Sequence, residues 1–341
     1  MTPLPEAALQ GYQSKTFVYK STSEGDILLD VLYPKECDGT PQTVVLHYHG
    51  GYLVVGDRYA FFPYWLFRAC VSRKWIFVTP DYRLMPESTA HSAVEDAADA
   101  YEWVLSTLPS QLGNKLGSVL MAGSSAGGYL ALTTATLAQT QPSALLLIYG
   151  MLDATNSRYT TRGTNIFGRP TIETGDILAK FPPHKDGDSR KKISAYPAPA
   201  NPETDLRFGL MSALHIDALF LDYMSGIDGL GQAVASGGVE AIPKSERILF
   251  PLTFGDLSKV PRTMLLHGRN DSAVPVELSL TAWEKLKAAG VEVLAELPED
   301  AEHGFDARAG DVDVESAEGE KTTAYESLRK AITFFDTVVS V

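Results

Sequence analysis

Short apolar runs alternate with longer amphipathic segments along the first 150 residues. Residues 43–48 and 144–149 are apolar almost throughout, which is typical of strands that are covered on both faces. Residues 88–108 place their alanines, valines and Tyr101 on one side of a helix, and the opposite side is polar. Buried strands separated by helices predict an α/β fold, in which a mostly parallel sheet lies between layers of helices.

The same reasoning predicts the other elements of this fold. The further predicted strands are 17–19, 27–33, 75–79, 118–122, 262–268 and 291–296, and the further predicted helices are 59–73, 126–139, 276–289 and 322–339.

The alternation of strands and helices stops after Asp153 and resumes only at Arg262. The intervening residues are rich in prolines and turn formers and include two glycine-rich patches, at 229–231 and 237–238. We interpret residues 154–250 as an inserted cap over a continuous core made of residues 1–153 and 251–341. A disordered linker is the alternative, which the apolar residues within 208–224 disfavour because they are numerous enough to pack.

Composition narrows the function classes. The chain has 341 residues and a formal charge of −13, with 45% hydrophobic residues, so one large or two small soluble domains are expected. An acidic chain is a poor partner for nucleic acid, and no apolar run is long enough for a membrane span. Cys37 and Cys70 form no disulfide framework or zinc motif. With no signal sequence at the start of the chain, a cytoplasmic location is expected.

One short motif carries candidate chemistry. Residues 121–128 read M-A-G-S-S-A-G-G and contain G-x-S-x-G between an apolar strand and a helical pattern. A serine on such a turn projects its hydroxyl from the carboxyl edge of the sheet, and small neighbours relieve the crowded backbone. Ser125 is therefore the candidate nucleophile, with Gly123 and Gly127 beside it. A plain helix cap is the alternative, which the strand and helix on either side disfavour.

Three motifs together resemble the hormone-sensitive-lipase-like branch of the α/β-hydrolase fold. They are H-G-G at 49–51, D-Y-R-L-M-P-E at 81–87 and G-S-S-A-G-G at 123–128. The resemblance implies an oxyanion hole formed by the backbone amides of Gly51, Tyr52 and Ala126, with Gly50 as a further donor. It also implies that His49 is structural.

By the same resemblance, Asp81 and Arg83 brace the active-site loops. The chain departs from the family pattern at Tyr52, where a third glycine is common, and at Ser124, where aspartate is common. Neither departure removes a backbone amide or the nucleophilic hydroxyl. The resemblance therefore implies a mechanism and leaves the substrate open.

The base and its orienting acid follow from chain order, since this fold runs from serine to acid to histidine. Among the histidines after Ser125, His303 lies in a loop after the strand-like segment 291–296 and is the predicted general base. Asp271, 32 residues earlier, matches the family pattern and is the predicted orienter. Asp306 is the alternative, although it looks like the start of an exposed acidic loop at 306–320.

These residues predict a serine hydrolase that cleaves a carboxyl ester, or transfers its acyl group, through an acyl-Ser125 intermediate. The alternatives with the same chemistry are cleavage of a thioester, lactone or aryl-formamide, and polyketide release in a biosynthetic pathway. A non-catalytic ligand receptor, as the gibberellin receptors are, is disfavoured because those receptors lack the histidine that this chain keeps.

The expected partner is a small acyl substrate, with no cofactor, metal or nucleic acid, and the oligomeric state is open. A local basic patch is most simply solvated surface, and docking of an acyl-carrier protein is the alternative. The patch consists of Lys180, Lys185, Arg190, Lys191 and Lys192.

Overall fold

The strands of the sheet have the bounds β1 Tyr12–Thr22, β2 Gly25–Pro34, β3 Gln42–Tyr48, β4 Ile76–Pro80, β5 Leu116–Ser124, β6 Ala144–Ile148, β7 Thr263–Leu266 and β8 Val293–Glu296. They belong to a computed structural model that describes residues 4, 8–9, 11–36, 39–185, 187–316 and 322–339. In this part of the chain they form one sheet in the order β1-β2-β4-β3-β5-β6-β7-β8. Every pair from β4 to β8 in that order is parallel, whereas β2 is antiparallel to both of its neighbours.

Helices connect the strands. They are α1 Tyr64–Arg73, α2 Ala90–Ser106, α3 Leu108–Leu112, α4 Ala126–Leu137, α5 Ser157–Thr160, α6 Gly175–Lys180, α7 Leu206–Ile216, α8 Phe220–Ser225, α9 Leu230–Gly237, α10 Pro251–Phe254, α11 Glu277–Ala288, α12 Phe305–Arg308 and α13 Thr323–Val339. Short 3₁₀ turns lie at Ile166–Gly168, Gly238–Ala241, Lys244–Leu249 and Leu257–Lys259.

The sheet has a separate apolar core on each face. Along β3, Val44 and Leu46 point into the core that contains α2 and α4, and Val45 points into the core that contains α1 and α13. All seven residues of β3 are buried, as expected for a central strand covered by helices on both sides. The predicted α/β-hydrolase architecture, with its mostly parallel sheet, is confirmed.

One predicted helix is shorter than the sequence pattern suggests. The aromatic-rich segment 59–73 becomes helical only at Tyr64, directly after Pro63. Proline disfavours helical backbone in the residue before it, so residues 59–62 remain a loop. That loop brings Tyr59, Phe61 and Phe62 to the cavity described below.

The inserted segment contains α5 to α9. Many of its apolar side chains, including Leu210, Leu214, Phe220 and Leu221, are buried and belong to the same core as α2 and α4. The segment is thus helical, with one side packed against the rest of the protein. Its role as a cap remains a prediction.

In the described part of the chain, no helix is both long enough and apolar enough to cross a bilayer. Cys70 is buried and free, whereas Cys37 lies outside the described residues.

Candidate active site

Ser125 occupies a strained turn between β5 and α4. Its backbone has φ 56° and ψ −116°, an unusual conformation for a residue with a side chain. Neighbouring backbone comes very close: a Cβ on Gly127 would lie 2.0 Å from the Tyr48 carbonyl oxygen, and one on Gly123 would lie 2.1 Å from that of Gly127. The two glycines of the motif are therefore steric requirements of this turn.

The structure brings Ser125 and His303 together, although 178 residues separate them. His303 Nε2 lies 3.1 Å from Ser125 Oγ, and His303 Nδ1 lies 2.7 Å from Asp271 Oδ2. With the proton on Nδ1, the imidazole donates to Asp271 and leaves Nε2 free to accept from the serine hydroxyl. Among the predicted acids, Asp271 rather than Asp306 contacts this histidine.

Several donors surround the Asp271 carboxylate. Its Oδ1 accepts hydrogen bonds from the backbone amides of Ala273 at 2.9 Å and Val274 at 2.8 Å. Burial by itself would raise the pKa of Asp271, but hydrogen bonds from His267 and His303 outweigh burial and hold this pKa well below its usual range. Asp271 therefore stays ionised, as an acid that orients an imidazole must.

Sequence reasoning missed the role of His267, which it placed inside a strand. This buried residue follows β7, and its Nε2 lies 3.2 Å from Asp271 Oδ2 and 2.8 Å from the Val274 carbonyl oxygen. Its Nδ1 lies 2.7 Å from Ser279 Oγ. His267 thus fixes the loop that carries Asp271. In the sequence, only its spacing of four residues from Asp271 could have indicated this role.

The loop after β3 faces the nucleophile. Gly50 packs so closely that a Cβ there would lie 3.3 Å from Ser125 Cβ. Gly51 and Tyr52 adopt positive φ angles of 118° and 62°. In the described part of the chain, the backbone amides of Gly50, Gly51, Tyr52 and Ala126 donate to no protein acceptor. These free amides are candidate donors to a developing oxyanion.

His49 is buried within this loop. Its Nδ1 lies 2.7 Å from the Gly50 carbonyl oxygen, and its ring stacks on Tyr82 with 4.2 Å between ring centroids. Burial lowers the pKa of His49 to about 4, so the ring is neutral near pH 7. These contacts support the structural role that the family resemblance implied.

The residues of the D-Y-R-L-M-P-E segment act in different places. Asp81 forms a buried ion pair with Arg58 and also accepts from the Arg58 backbone amide at 2.8 Å, so it braces the loop that continues from the glycines. Arg83 instead points to α2, where its Nη2 lies 2.6 Å from Asp96 Oδ1. The expectation that Arg83 braces the active-site loops is not met.

A bracing residue that the sequence did not reveal comes from α7. The buried Arg207 pairs with Glu87 and donates to the carbonyl oxygens of Val54 at 2.8 Å and Met85 at 2.7 Å. It therefore connects the inserted segment to the loop beyond Tyr52. Arg207 lies two residues after the N-cap Asp205, and nothing in that local sequence indicates Glu87 as its partner.

The expectation that Asp306 begins an exposed acidic loop is wrong. Asp306 is buried and accepts hydrogen bonds from Trp65 Nε1 at 3.0 Å and from the Tyr149 hydroxyl. Burial raises its pKa despite these hydrogen bonds. The Tyr149 ring lies 4.5 Å from the His303 ring, so Asp306 anchors a side chain that packs against the predicted base.

A cavity of about 490 Å³ opens beside Ser125 and His303. Among the described residues, the lining includes no aspartate or glutamate, and Arg308 is the one lining residue whose side chain is permanently charged. The other lining residues are mostly aromatic or aliphatic: Tyr52, Tyr59, Phe61, Phe62, Tyr64, Tyr149, Ile166, Phe167, Phe208, Met211, His215, Ala273, Val274 and Ala307. Such a cavity favours an apolar or aryl group of moderate size.

Three members of the predicted basic patch have acidic partners. Lys185 pairs with Asp228 at 2.6 Å, Lys192 pairs with Glu24 at 3.2 Å, and Arg190 pairs with Asp188. These pairs reduce the charge that the patch presents to solvent. They support its interpretation as ordinary surface.

Two family models match separate parts of the chain. The model described as the alpha/beta hydrolase fold matches residues 45–207, and that of the prolyl oligopeptidase family matches residues 250–319. The first range holds Ser125 and the candidate oxyanion loop. The second holds Asp271 and His303.

Among known proteins, 96% of this chain aligns with part of a non-reducing polyketide synthase of Emericella nidulans at 26% identity. The alignment spans only 14% of the length of that synthase. A probable carboxylesterase of a Phoma species is 25% identical, and the alignment covers 85% of this chain and 88% of that protein.

Solved structures share the fold at lower identity. A bacterial heroin esterase superposes with a TM-score of 0.66 at 18% identity, covering 97% of this chain and 86% of that one. Carboxyl esterase 2 of the mycorrhizal fungus Tuber melanosporum superposes with a TM-score of 0.62 at 18% identity, covering 96% and 86%.

Proposed function

We propose that this chain, an esterase-like α/β-hydrolase that resembles the hormone-sensitive-lipase-like branch, cleaves a carboxyl ester through an acyl-enzyme intermediate on Ser125. One observation carries the proposal: Ser125 Oγ lies 3.1 Å from His303 Nε2, while His303 Nδ1 lies 2.7 Å from Asp271. A nucleophile, a base and an orienting carboxylate within hydrogen-bond distance of one another are what acyl transfer requires.

In the proposed reaction, Ser125 Oγ attacks the ester carbonyl carbon and His303 Nε2 takes the hydroxyl proton. The tetrahedral intermediate collapses as the bond between the carbonyl carbon and the alcohol oxygen breaks, and His303 returns the proton to the departing alcohol. Water then attacks the acyl-Ser125 ester with His303 again as base, which releases the carboxylic acid. Asp271 stays ionised throughout and stabilises the imidazolium.

The free amides of Gly51, Tyr52 and Ala126 support the same mechanism, with Gly50 as a further donor. Each donor aimed at the oxyanion contributes about 3 kcal/mol to transition-state stabilisation. Ala126 is the first residue of α4, so the helix dipole adds to the positive potential at this point.

The inserted segment acts as a cap in this proposal. It supplies Ile166, Phe167, Phe208, Met211 and His215 to the cavity that Ser125 faces. The apolar part of the substrate would lie against these residues. Residues 154–250 would therefore select the substrate, while core residues perform the chemistry.

A second candidate is release of an acyl group from a thioester, because most of this chain aligns with part of a polyketide synthase. The same steps apply, with a thiol as the leaving group and an acyl-carrier protein as the source of the substrate. Hydrolysis of an acyl thioester at least as fast as that of the matched oxygen ester would favour this candidate.

The test is covalent labelling with a fluorophosphonate together with hydrolysis of p-nitrophenyl esters of increasing acyl length. Ser125→Ala should abolish both signals, and Ser124→Ala provides a matched control at the adjacent serine. We expect wild type and Ser124→Ala to be labelled. Absence of labelling and of hydrolysis in wild type would contradict the proposal and favour a non-catalytic ligand receptor.

A further inference from the structure

Arg308 carries a permanent positive charge at the cavity beside Ser125. It is the last residue of α12, and α12 begins two residues after His303. His303, Gly304 and Ala307 line the cavity together with Arg308. Because Arg308 both lines the cavity and is exposed to solvent, it lies at the mouth of the cavity. A permanent positive charge thus lies at the entrance of a site whose other lining residues are mostly apolar.

Arg308 has no acidic partner among the residues that the structure describes. Its side chain forms no ion pair and donates no hydrogen bond in that part of the chain. Two arginines of α1 that face the loop after Arg308 differ from it in this respect. Arg68 forms two hydrogen bonds of 2.7 Å with Asp311, and Arg73 forms two with Glu315, at 2.7 and 2.8 Å. Arg308 therefore keeps its donors available to a ligand.

Two carboxylates that come just before Arg308 in the chain already have partners. Glu302 accepts hydrogen bonds from the Ser272 backbone amide at 2.7 Å and from Ser272 Oγ at 3.0 Å. Asp306 is buried and accepts from Trp65 Nε1 at 3.0 Å. Neither carboxylate lines the cavity. An anion that enters the cavity therefore meets an unpaired guanidinium group and, among the described residues, no carboxylate on the lining that would repel it.

A second arginine adds positive potential near the entrance. Arg169 Cζ lies 5.6 Å from the centroid of the Phe167 ring, and Phe167 lines the cavity. Arg169 is exposed and, within the described ranges of the chain, pairs with no carboxylate. The chain as a whole carries a formal charge of −13, which repels anions. Against that background, two unpaired arginines beside one apolar cavity attract an anion locally.

We propose that Arg308 binds a carboxylate that the substrate ester carries away from its scissile bond. This inference rests on the proposed function, because it concerns the substrate of the same site. The apolar body of the ester fills the cavity, and the carboxylate lies at the mouth, where the planar guanidinium group donates two parallel hydrogen bonds to it. This contact is remote from the reacting carbonyl, so it stabilises the bound substrate and the transition state alike and lowers KM without changing kcat.

The test compares esters in matched pairs in which a carboxylate is replaced by a carboxamide of nearly the same shape. The pair 4-acetoxybenzoate and 4-acetoxybenzamide carries the group on the leaving phenol. The mono-p-nitrophenyl ester of suberic acid and its terminal amide carry the group on the acyl chain. In at least one pair, we expect Arg308→Gln to lower the ratio of kcat/KM for the carboxylate to kcat/KM for the carboxamide about fivefold. The loss should appear as a higher KM for the carboxylate, with kcat unchanged.

Two further variants separate charge from shape. Arg308→Lys keeps the charge without the planar group and should retain part of the preference, whereas Arg308→Glu should lower the ratio further than Arg308→Gln does. Arg262→Gln is the matched control, because it removes the same charge elsewhere. Arg262 directly precedes β7, so it lies at the amino edge of the parallel strands, opposite the edge that carries Ser125. Its ratios should equal those of wild type.

The two proposals fail in different ways. If esters are hydrolysed but Arg308→Gln changes neither ratio more than Arg262→Gln does, the role of Arg308 is overturned and the esterase is left intact. Calorimetric binding of each pair to Ser125→Ala, with and without Arg308→Gln, gives the same comparison without catalysis, so it applies even if no ester is hydrolysed. Carboxylate affinity about fivefold weaker after Arg308→Gln would support the proposal. Equal affinities, or no binding of either ester, would overturn it.

Discussion

Arg207 and Glu87, 120 residues apart in the chain, form a bidentate ion pair with both nitrogen–oxygen distances at 2.7 Å. The side chains are only 4% and 14% exposed. Through this pair and its bonds to the carbonyl oxygens of Val54 and Met85, α7 holds the chain that follows the candidate oxyanion donors. The inserted segment thus supports the loop beside the candidate site.

Removing one partner of this pair should be costly. Arg207→Met leaves the Glu87 carboxylate unpaired in a largely buried place, so we expect the free energy of unfolding to fall by about 3–5 kcal/mol. The double variant Arg207→Met with Glu87→Gln should recover part of this loss. Urea denaturation measures both variants.

The exposed pair Arg269–Glu299 provides the control for this prediction, since its side chains are 42% and 77% exposed. Arg269→Met should cost less than about 1 kcal/mol. Equal losses for Arg207→Met and Arg269→Met would contradict the buried role of Arg207.

The turn at Ser125 should tolerate no side chain at Gly127. Gly127→Ala places a methyl group 2.0 Å from the Tyr48 carbonyl oxygen, so the backbone must move or the protein must lose several kcal/mol of stability. Gly175→Ala is the matched control, because a Cβ there meets no atom within 4 Å. We expect a lower Tm and loss of ester hydrolysis for the first variant and near wild-type values for the second.

Asp271 and Asp306 should differ sharply in catalysis. Asp271→Asn removes the carboxylate that fixes the His303 tautomer, so we expect kcat to fall by about 10⁴-fold. Asp306→Asn alters contacts to Trp65 and Tyr149. Of these two residues, Tyr149 packs against His303, so we expect kcat to fall far less than in Asp271→Asn. Steady-state kinetics on the best p-nitrophenyl ester measures kcat for both variants. A larger loss of kcat in Asp306→Asn than in Asp271→Asn would show that Asp306 is the orienter.

Three buried histidines should make the protein sensitive to acid. Burial lowers the pKa of His47 to about 3, of His49 to about 4 and of His215 to about 3. Below the unfolded pKa of about 6.5, the unfolded chain therefore binds protons that the native state does not. The free energy of unfolding should then decrease by about 1.4 kcal/mol per pH unit for each histidine between pH 6.5 and about 4.

Urea denaturation at pH 7, 6 and 5 measures this slope. His215→Phe removes one of the three protons, so its stability should depend less steeply on pH than that of wild type. Parallel slopes for the two proteins would show that His215 is not held neutral by burial.

Local sequence patterns predicted the helices and strands well where a short motif or the spacing of apolar residues decides the structure. The apolar run of β3 and the G-x-S-x-G turn are examples, because their neighbours in the chain impose the conformation. The helix predicted over 59–73 is wrong for residues 59–62. Pro63 is a local signal against helix before it, and the prediction gave more weight to the aromatic-rich pattern. The partner of Arg83 could not be predicted from its motif, because Asp96 is one of several acidic residues nearby in the sequence.

Local patterns in the sequence were enough to predict the succession of strands and helices, the tight turn at Ser125 and the residue types that acyl transfer needs. Those features depend on periodicity, backbone sterics and short motifs, all of which act over a few residues. Burial and side-chain pairing depend instead on the tertiary structure, which buries Asp306 beside Tyr149, brings Arg207 to Glu87 and packs Tyr52 against His215. Burial and pairing depend on residues more than a hundred positions apart, and the folded chain brings these together to pack both faces of one sheet.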